Sequence, residues 1–333
     1  MLLACLPCLL CGEGVCRVRV LVTGCCGFIG SHLAVYLRCR GYDVYGLDNL
    51  SRATRESVRA LEEGGVGYRV ADITSPDQVV EVVRLFKPDV LVHLAALVDV
   101  EESVRRPSLY TYVNVYGTSV VVEKALEYGV ERIVYISSAA VYGEPRRLPV
   151  SEEHPTNPTN PYGVTKLAGE HLVKVMCRLA RKHYVVLRLF NVYGPRQNPS
   201  YAGVVVKTLE RIAAGKPPIV YGDGMQTRDM VYVGDVVEAI ERAIETQYVD
   251  EIYNIGSGKP VKIKDLVNLI LELAGKKELK PIHAPPRPGD IRHSYADISK
   301  ARKMLGFEPK TGLREGLAKT VEWYMRRRLS CTK

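Results

Sequence analysis

The run Val18-Arg19-Val20-Leu21-Val22-Thr23-Gly24-Cys25-Cys26-Gly27-Phe28-Ile29-Gly30-Ser31 decides the fold. Its first six residues are rich enough in β-branched and apolar side chains to predict a buried strand. Three glycines follow at three-residue spacing, and a helical pattern starts at about Ser31 and closes near Gly41. Strand, glycine turn and helix in that order describe a dinucleotide-binding unit. Gly24 permits the tight turn, Gly27 lets the backbone approach a pyrophosphate, and Gly30 lets helix and strand pack closely. The N–H groups at the helix start then face the phosphates. The spacing is G-x-x-G-x-x-G rather than the G-x-G-x-x-G of many dehydrogenases.

Moving outward, Val44-Tyr45-Gly46-Leu47-Asp48 reads as a second strand that ends in an acid 18 residues after Gly30. An aspartate there accepts hydrogen bonds from ribose hydroxyls and repels a 2′-phosphate, which favours NAD over NADP. Tyr68–Ile73 is a third strand, with Asp72 able to approach an adenine. Asp89–Ala96 is a fourth, whose small Ala95-Ala96 end suits close passage of a nicotinamide ribose. Tyr110 to about Tyr128 is helical. Glu131–Ser137 and Tyr184–Leu189 are the fifth and sixth strands. This alternation predicts an α/β fold, a doubly wound parallel Rossmann-type sheet with its ligand crevice at the strands' carboxyl ends.

After Leu189 the elements shorten and turns multiply. Thr227–Val233 and Tyr253–Gly258 read as segments returning to the sheet edge, and helices are expected near Lys264–Ala274, Ser299–Leu305 and Leu313–Leu329. The expected division is an NAD-binding part over 17–190, with 229–258 returning to it. A smaller, interleaved C-terminal α/β substrate domain covers 191–228 and 259–330. Residues 1–16 are expected to be an extension or a misassigned start, since the fold needs nothing before about Val18.

The chemistry is carried by Asn160-Pro161-Tyr162-Gly163-Val164-Thr165-Lys166, preceded by Ser137-Ser138-Ala139-Ala140. Tyr162 and Lys166 are four residues apart, so on a helix they share a face. A phenol of pKa about 10 is a poor base at neutral pH. An ammonium beside it, and the charge of oxidised NAD, favour the phenolate; lowering the pKa by roughly 3 units takes about 4 kcal/mol. Such a pair can remove a proton from a substrate hydroxyl while hydride leaves the same carbon.

The 333 residues carry 46 Lys+Arg against 37 Asp+Glu, a net charge of +9 that suits phosphate-bearing ligands. The cations are dispersed except for Arg326-Arg327-Arg328, which reads as a helix C-terminus, and no nucleic-acid-binding motif accompanies them. No apolar run reaches the roughly 18–20 residues that span a bilayer, so a membrane partner is not expected and a cytoplasmic location is. Of the nine cysteines, Cys5, Cys8, Cys11 and Cys16 crowd the first sixteen residues, but the fourth spacing is wrong for an iron–sulfur cluster. The seven histidines are scattered, His93 reads as a core residue, and no metal is expected.

On these motifs the chain resembles the extended short-chain dehydrogenases/reductases, and within them the UDP-glucose (UDP-galactose) 4-epimerases. The resemblance runs from Val18 to about Tyr324. Besides the glycine loop and Tyr162-x-x-x-Lys166, it rests on Asp48-Asn49-Leu50-Ser51, Asn114-Val115-x-Gly117-Thr118, and Phe190-Asn191-Val192-Tyr193-Gly194-Pro195-Arg196. Gln226-Thr227-Arg228-Asp229 and Arg287-Pro288-Gly289-Asp290 complete it. The resemblance implies Tyr162 as general base and acid, Lys166 as its electrostatic partner and a ligand of the nicotinamide ribose, and Ser138 as a proton relay. Phe28, Ile29, Asn49, Ser51, Ile73, Leu94 and Asn114 would join Gly24, Gly27, Gly30, Asp48, Asp72, Ala95 and Ala96 around NAD. Asn191 would hold the sugar or a phosphate of a UDP-sugar, Arg228 and Arg287 would clamp its pyrophosphate, and Asp290 would lie near the uridine ribose. A homodimer through the helices Tyr110–Tyr128 and Tyr162–Arg181 is also implied.

Related dehydratases and decarboxylases carry an acid just after the active serine or threonine, where this chain has Ala139 and Ala140. That points to oxidation and re-reduction at C4 alone, through a transient 4-keto sugar. Ser294 resembles the gate of the sugar pocket, and its small size would admit an N-acetyl group. Two departures stand out. Val98 occupies a position where some members carry a lysine toward the cofactor, and Cys25-Cys26 would make cofactor binding redox-sensitive. A UDP-glucuronate or other nucleotide-sugar 4-epimerase, and a catalytically silent NAD-binding protein, remain the alternatives.

Overall fold

The computed structural model describes residues 17–199, 203–286 and 291–331. The expected extension over 1–16, and Arg287 and Asp290, lie outside the described residues. The strands are β1 Arg19–Thr23, β2 Asp43–Asp48, β3 Gly67–Val70, β4 Val90–His93, β5 Arg132–Ser138, β6 His183–Leu189, β7 Asn191–Tyr193, β8 Ile219–Tyr221, β9 Thr227–Tyr232, β10 Glu251–Ile255, β11 Pro260–Lys262, β12 Ile282–Ala284 and β13 His293–Ser294.

Seven of them make one sheet in the order β10-β6-β5-β4-β1-β2-β3, every neighbouring pair parallel. Alternation along β1 sends Val20 and Val22 to one face and Leu21 to the other. The first face packs on the helices Phe28–Cys39 and Val233–Glu245, the second on Pro76–Phe86, Gly117–Glu127 and Pro161–Ala180. Strand order reverses on either side of β1, so the crevice opens between the carboxyl ends of β1 and β4. β3 and β4 end earlier than the apolar runs suggested, which puts Asp72, Ile73 and Leu94–Ala96 in the turns at that end.

A smaller sheet is built on β9, which pairs with β7, β11 and β13, and the helices Val204–Ala213, Ile263–Leu273 and Leu313–Cys331 pack beside it. Of the two segments expected at the main sheet's edge, Tyr253–Gly258 contributes β10 there. Thr227–Val233 does not: it is the centre of the small sheet. Its Asp229 ties the small sheet to the turn after β10: it is wholly buried and accepts from Ser257 N and Oγ at 2.6 Å each, and from Gly258 N and Ala296 N at 3.0 Å. A buried carboxylate must be paired, and its donors lie in the C-terminal segment.

Candidate active site

A cavity of about 1530 Å³ runs between the two sheets. Its wall begins at the glycine loop. Gly24 adopts φ +71°, and a Cβ there would sit 2.8 Å from Ala95 N, so the turn lies directly against the segment after β4. The helix starting at Phe28 has Gly27 as its N-cap and no side-chain cap. Its first-turn N–H groups are thus left to an anion, and Gly27, Phe28, Ile29 and Gly30 line the cavity. Asp48 ends β2 beside them. It accepts from Cys26 N at 2.9 Å and Leu50 N at 2.8 Å, and burial raises its pKa. Two backbone donors leave its remaining lone pairs for hydroxyls. These features fit a dinucleotide.

The helix Pro161–Ala180 delivers the reactive pair. Asn160 caps it by accepting from Gly163 N at 2.9 Å, and Pro161 occupies the first turn, where its missing N–H costs nothing. Tyr162 and Lys166 follow one turn apart, and Ser138 stands at the end of β5; all three line the cavity. Lys166 is buried, donates to Ile136 O at 2.7 Å, and lies 5.1 Å from the centroid of the Tyr135 ring. Burial lowers its pKa to about 8, opposed by the Glu170 carboxylate.

The spacing argument expected Lys166 to pull the Tyr162 phenol down. Among the protein's own groups the balance goes the other way: the phenol is pushed up, because burial outweighs the hydrogen bond with Ser138. Lys166 spends its ammonium on a carbonyl and a ring, so the phenol is protonated at neutral pH until further positive charge arrives.

Asn49, Ser51, Asp72, Ile73, Leu94, Ala95 and Ala96 line the cavity, as do Asn191, Arg228 and Ser294. Asn114 does not. Its amide is buried, exchanging bonds with Leu97 N at 2.8 Å and Leu97 O at 2.9 Å and donating to Thr165 Oγ1 at 3.1 Å. It sits in a π-turn, Thr111–Tyr116, and holds the post-β4 segment to the Tyr162 helix rather than reaching the cavity. His93 is a core residue. It bonds Thr23 and Thr118, and burial lowers its pKa to about 3.

Several residues escaped the sequence. Glu170, one turn beyond Lys166, is clamped by Arg188 through Nε at 2.9 Å and Nη2 at 2.7 Å, and accepts from Ser137 Oγ at 2.5 Å. Arg188 continues to Tyr142, whose hydroxyl donates to Asn254 at 2.6 Å. The four-residue stripe of 162, 166 and 170 was the available signal. Across the cavity Lys207 and Gln226 line the wall, and no spacing rule singles them out. Gln226 donates to Tyr221 O at 2.9 Å while its Oε1 is buried with no partner. The thiols of Cys25 and Cys26 are fully buried, and the hydrogen bond between them, then burial, push Cys25 well above its ordinary pKa.

The family model for GDP-mannose 4,6 dehydratase matches residues 21–320, and the chain belongs to that family of extended short-chain dehydrogenases/reductases. It is 40% identical over 306 residues to a putative UDP-glucose 4-epimerase of Methanocaldococcus jannaschii, covering 91% of this chain and 97% of that one. The UDP-glucose 4-epimerase of Thermotoga maritima, solved with UDP-glucose, superposes with a TM-score of 0.88 at 38% identity over 94% of this chain and all of its own. The UDP-glucuronic acid 4-epimerase of Bacillus cereus, solved with UDP-glucuronic acid and NAD, gives 0.86 at 31% identity over 93% and 100%. Both solved structures share the fold but take different sugars.

Proposed function

We propose that the protein is an NAD-dependent 4-epimerase of UDP-hexoses, interconverting UDP-galactose and UDP-glucose. The observation that carries this reading is that Ser138, Tyr162 and Lys166 share one cavity with Asp48 and the glycine loop, while the residues after Ser138 are Ala139 and Ala140. Alanine cannot move protons, so the acid–base equipment serves one carbon.

Gly24, Gly27, Gly30, Asp48 and Lys166 hold NAD, which when bound supplies the hydride acceptor and donor and, oxidised, adds positive charge to the site. Tyr162 takes the proton of the 4-hydroxyl, relayed by Ser138, and returns it to the opposite configuration after the 4-keto sugar has turned over. Lys166 keeps the phenolate in reach. Asn191 and Arg228, together with Arg287 and Asp290, bind the nucleotide diphosphate. Ser294, small and half-buried, leaves room for a 2-acetamido group, so N-acetylated UDP-hexoses are also substrates.

A second copy of the chain packs on the helix pair. Val164, Val175 and Leu179 are 53%, 52% and 79% exposed on one side of the Tyr162 helix, and Tyr112 and Tyr116 stack nearby at 5.3 Å. Apolar exposure of that extent suits an interface.

The test is to denature purified protein, look for released NAD, and assay a panel of UDP-sugars for inversion at C4. Tyr162→Phe should lose roughly 10²–10⁴-fold in kcat while keeping its NAD. Full turnover by that variant, or no inversion of any UDP-sugar by an NAD-loaded chain, would overturn the reading.

A further inference from the structure

Behind the glycine loop lies a group of donors of which the epimerase reading uses only Asp48. The ligand atoms of Cys25, Cys26 and Asp48 all fall within 4.8 Å of one another, the only such trio among the described residues. The two sulfurs are 3.7 Å apart. Two thiolates about 2.3 Å from one tetrahedral zinc stand about 3.8 Å apart, so this separation needs no rearrangement. A sulfur and a carboxylate oxygen on the same ion stand about 3.6 Å apart, which a small swing of the Asp48 side chain supplies.

The backbone explains the convergence. Gly46 and Asp48 project from the same face of β2. The Cys25 sulfur packs over Gly46, where an added Cβ would come within 2.3 Å of it. Cys26 N–H donates to the Asp48 carboxylate, tying the second cysteine to the same acid. The thiols are shut off from solvent, but Asp48 lies on the cavity wall, so an ion has a route in through the cavity and a water can complete its coordination.

We propose that Cys25, Cys26 and Asp48 bind one thiophilic divalent cation of the zinc class in the cofactor-free chain, and that the ion and NAD exclude each other. The exclusion rests on the reading of Asp48 as a ligand of the adenosine ribose, since one carboxylate cannot serve both. Binding moves no electrons: two thiols each release a proton to solvent as two metal–sulfur bonds form. The ion acts as an inhibitor that competes for the cofactor, not as part of the reaction.

Equilibrium dialysis of the full chain against buffered Zn²⁺, with and without NAD, counts the ions directly, and NAD binding is measured separately on the metal-free chain. The expected result is one NAD-displaceable ion per chain, its apparent affinity weakened about 100-fold when NAD is present at 100 times its Kd. That ion should vanish in Cys25→Ala and in Cys26→Ala, while zinc held elsewhere, for instance by the cysteines of residues 1–16, persists whether or not NAD is present. The absence of any NAD-displaceable ion in an NAD-binding chain, or a displaceable ion that survives both substitutions, would overturn the proposal. If either variant fails to fold, displacement in the parent chain decides. A chain that binds no NAD at all would instead sink the cofactor reading, which the separate NAD titration reveals.

Discussion

The two walls of the cavity are built differently. On the side of the main sheet, polar groups are spent on one another: Glu170 on Arg188 and Ser137, Asn114 on Leu97, His93 on two threonines. On the small-sheet side Asn191 and Arg228 are bonded to backbone carbonyls, but two polar side chains on the cavity wall are left over. Among the described residues the Lys207 side chain makes no ion pair or hydrogen bond, and Gln226 buries an oxygen with no partner. A satisfied polar wall is rigid and holds the reactive phenol in place. An unsatisfied one carries a desolvation cost that a ligand relieves. The first wall positions, and the second recognises.

The largest test of that contrast is Glu170→Gln. It leaves the Arg188 guanidinium buried and unpaired, which costs about 3–5 kcal/mol of folding stability, read from urea midpoints; adding Arg188→Met should return part of the loss. It also removes the negative charge that opposes the burial of Lys166, whose pKa of about 8 should therefore fall further. A lysine that deprotonates at lower pH gives up its support of the phenolate earlier, so the alkaline limb of the pH–kcat profile moves to lower pH. A variant with normal stability and an unmoved profile would mean that this wall is no more constrained than the other.

Smaller effects belong to the second wall. Ser294→Tyr should lower kcat/KM for an N-acetylated UDP-hexose by about 100-fold relative to the unacetylated sugar, since a ring in that position fills the space an acetamido group needs. Lys207→Met should raise KM for UDP-sugars about 10-fold, the worth of one charge-assisted hydrogen bond, and leave thermal stability within about 0.5 kcal/mol because no side-chain bond among the described residues depends on it. A loss of stability with unchanged KM would assign Lys207 to the scaffold and blur the contrast.

What the sequence made legible follows the same division. The first wall is written in short, local spacings. Three glycines, an acid at the end of β2 and a four-residue Tyr–Lys step each depend on one element and its immediate turn. For Asn114 the motif fixes the position but not the direction of the side chain, and the π-turn around it aims the amide at Leu97. Thr227–Val233 was misread because its strand partners, β7, β11 and β13, come from distant stretches of chain that no local spacing announces. Lys207 and Gln226 were silent for the same reason, since their role depends on which segments the small sheet brings to the cavity.

The smallest expected effect tests whether the first wall is as closed as its bonds imply. Thr118 Oγ1 donates to Asn114 O at 2.6 Å, so toward His93 it can only accept, and the ring must carry its proton on Nε2. Nδ1 is then the acceptor for the Thr23 hydroxyl at 2.7 Å, and Thr23 in turn receives Ala95 N–H at 3.3 Å. One direction of donation thus runs from the cofactor-side strand end to the π-turn, and a second ring proton would break it. Burial, and after it the charge of Lys166, hold the His93 pKa near 3. Because an unfolded histidine titrates near 6.5, the unfolded chain takes up this proton first, and stability falls as pH drops from about 6.5 toward 3. In NMR spectra the His93 ring carbons should therefore not move between pH 8 and pH 5 while the chain stays folded. A ring that titrates in that range would mean that the chain of donors opens to water, and that the sheet-side wall is as adaptable as the one facing it.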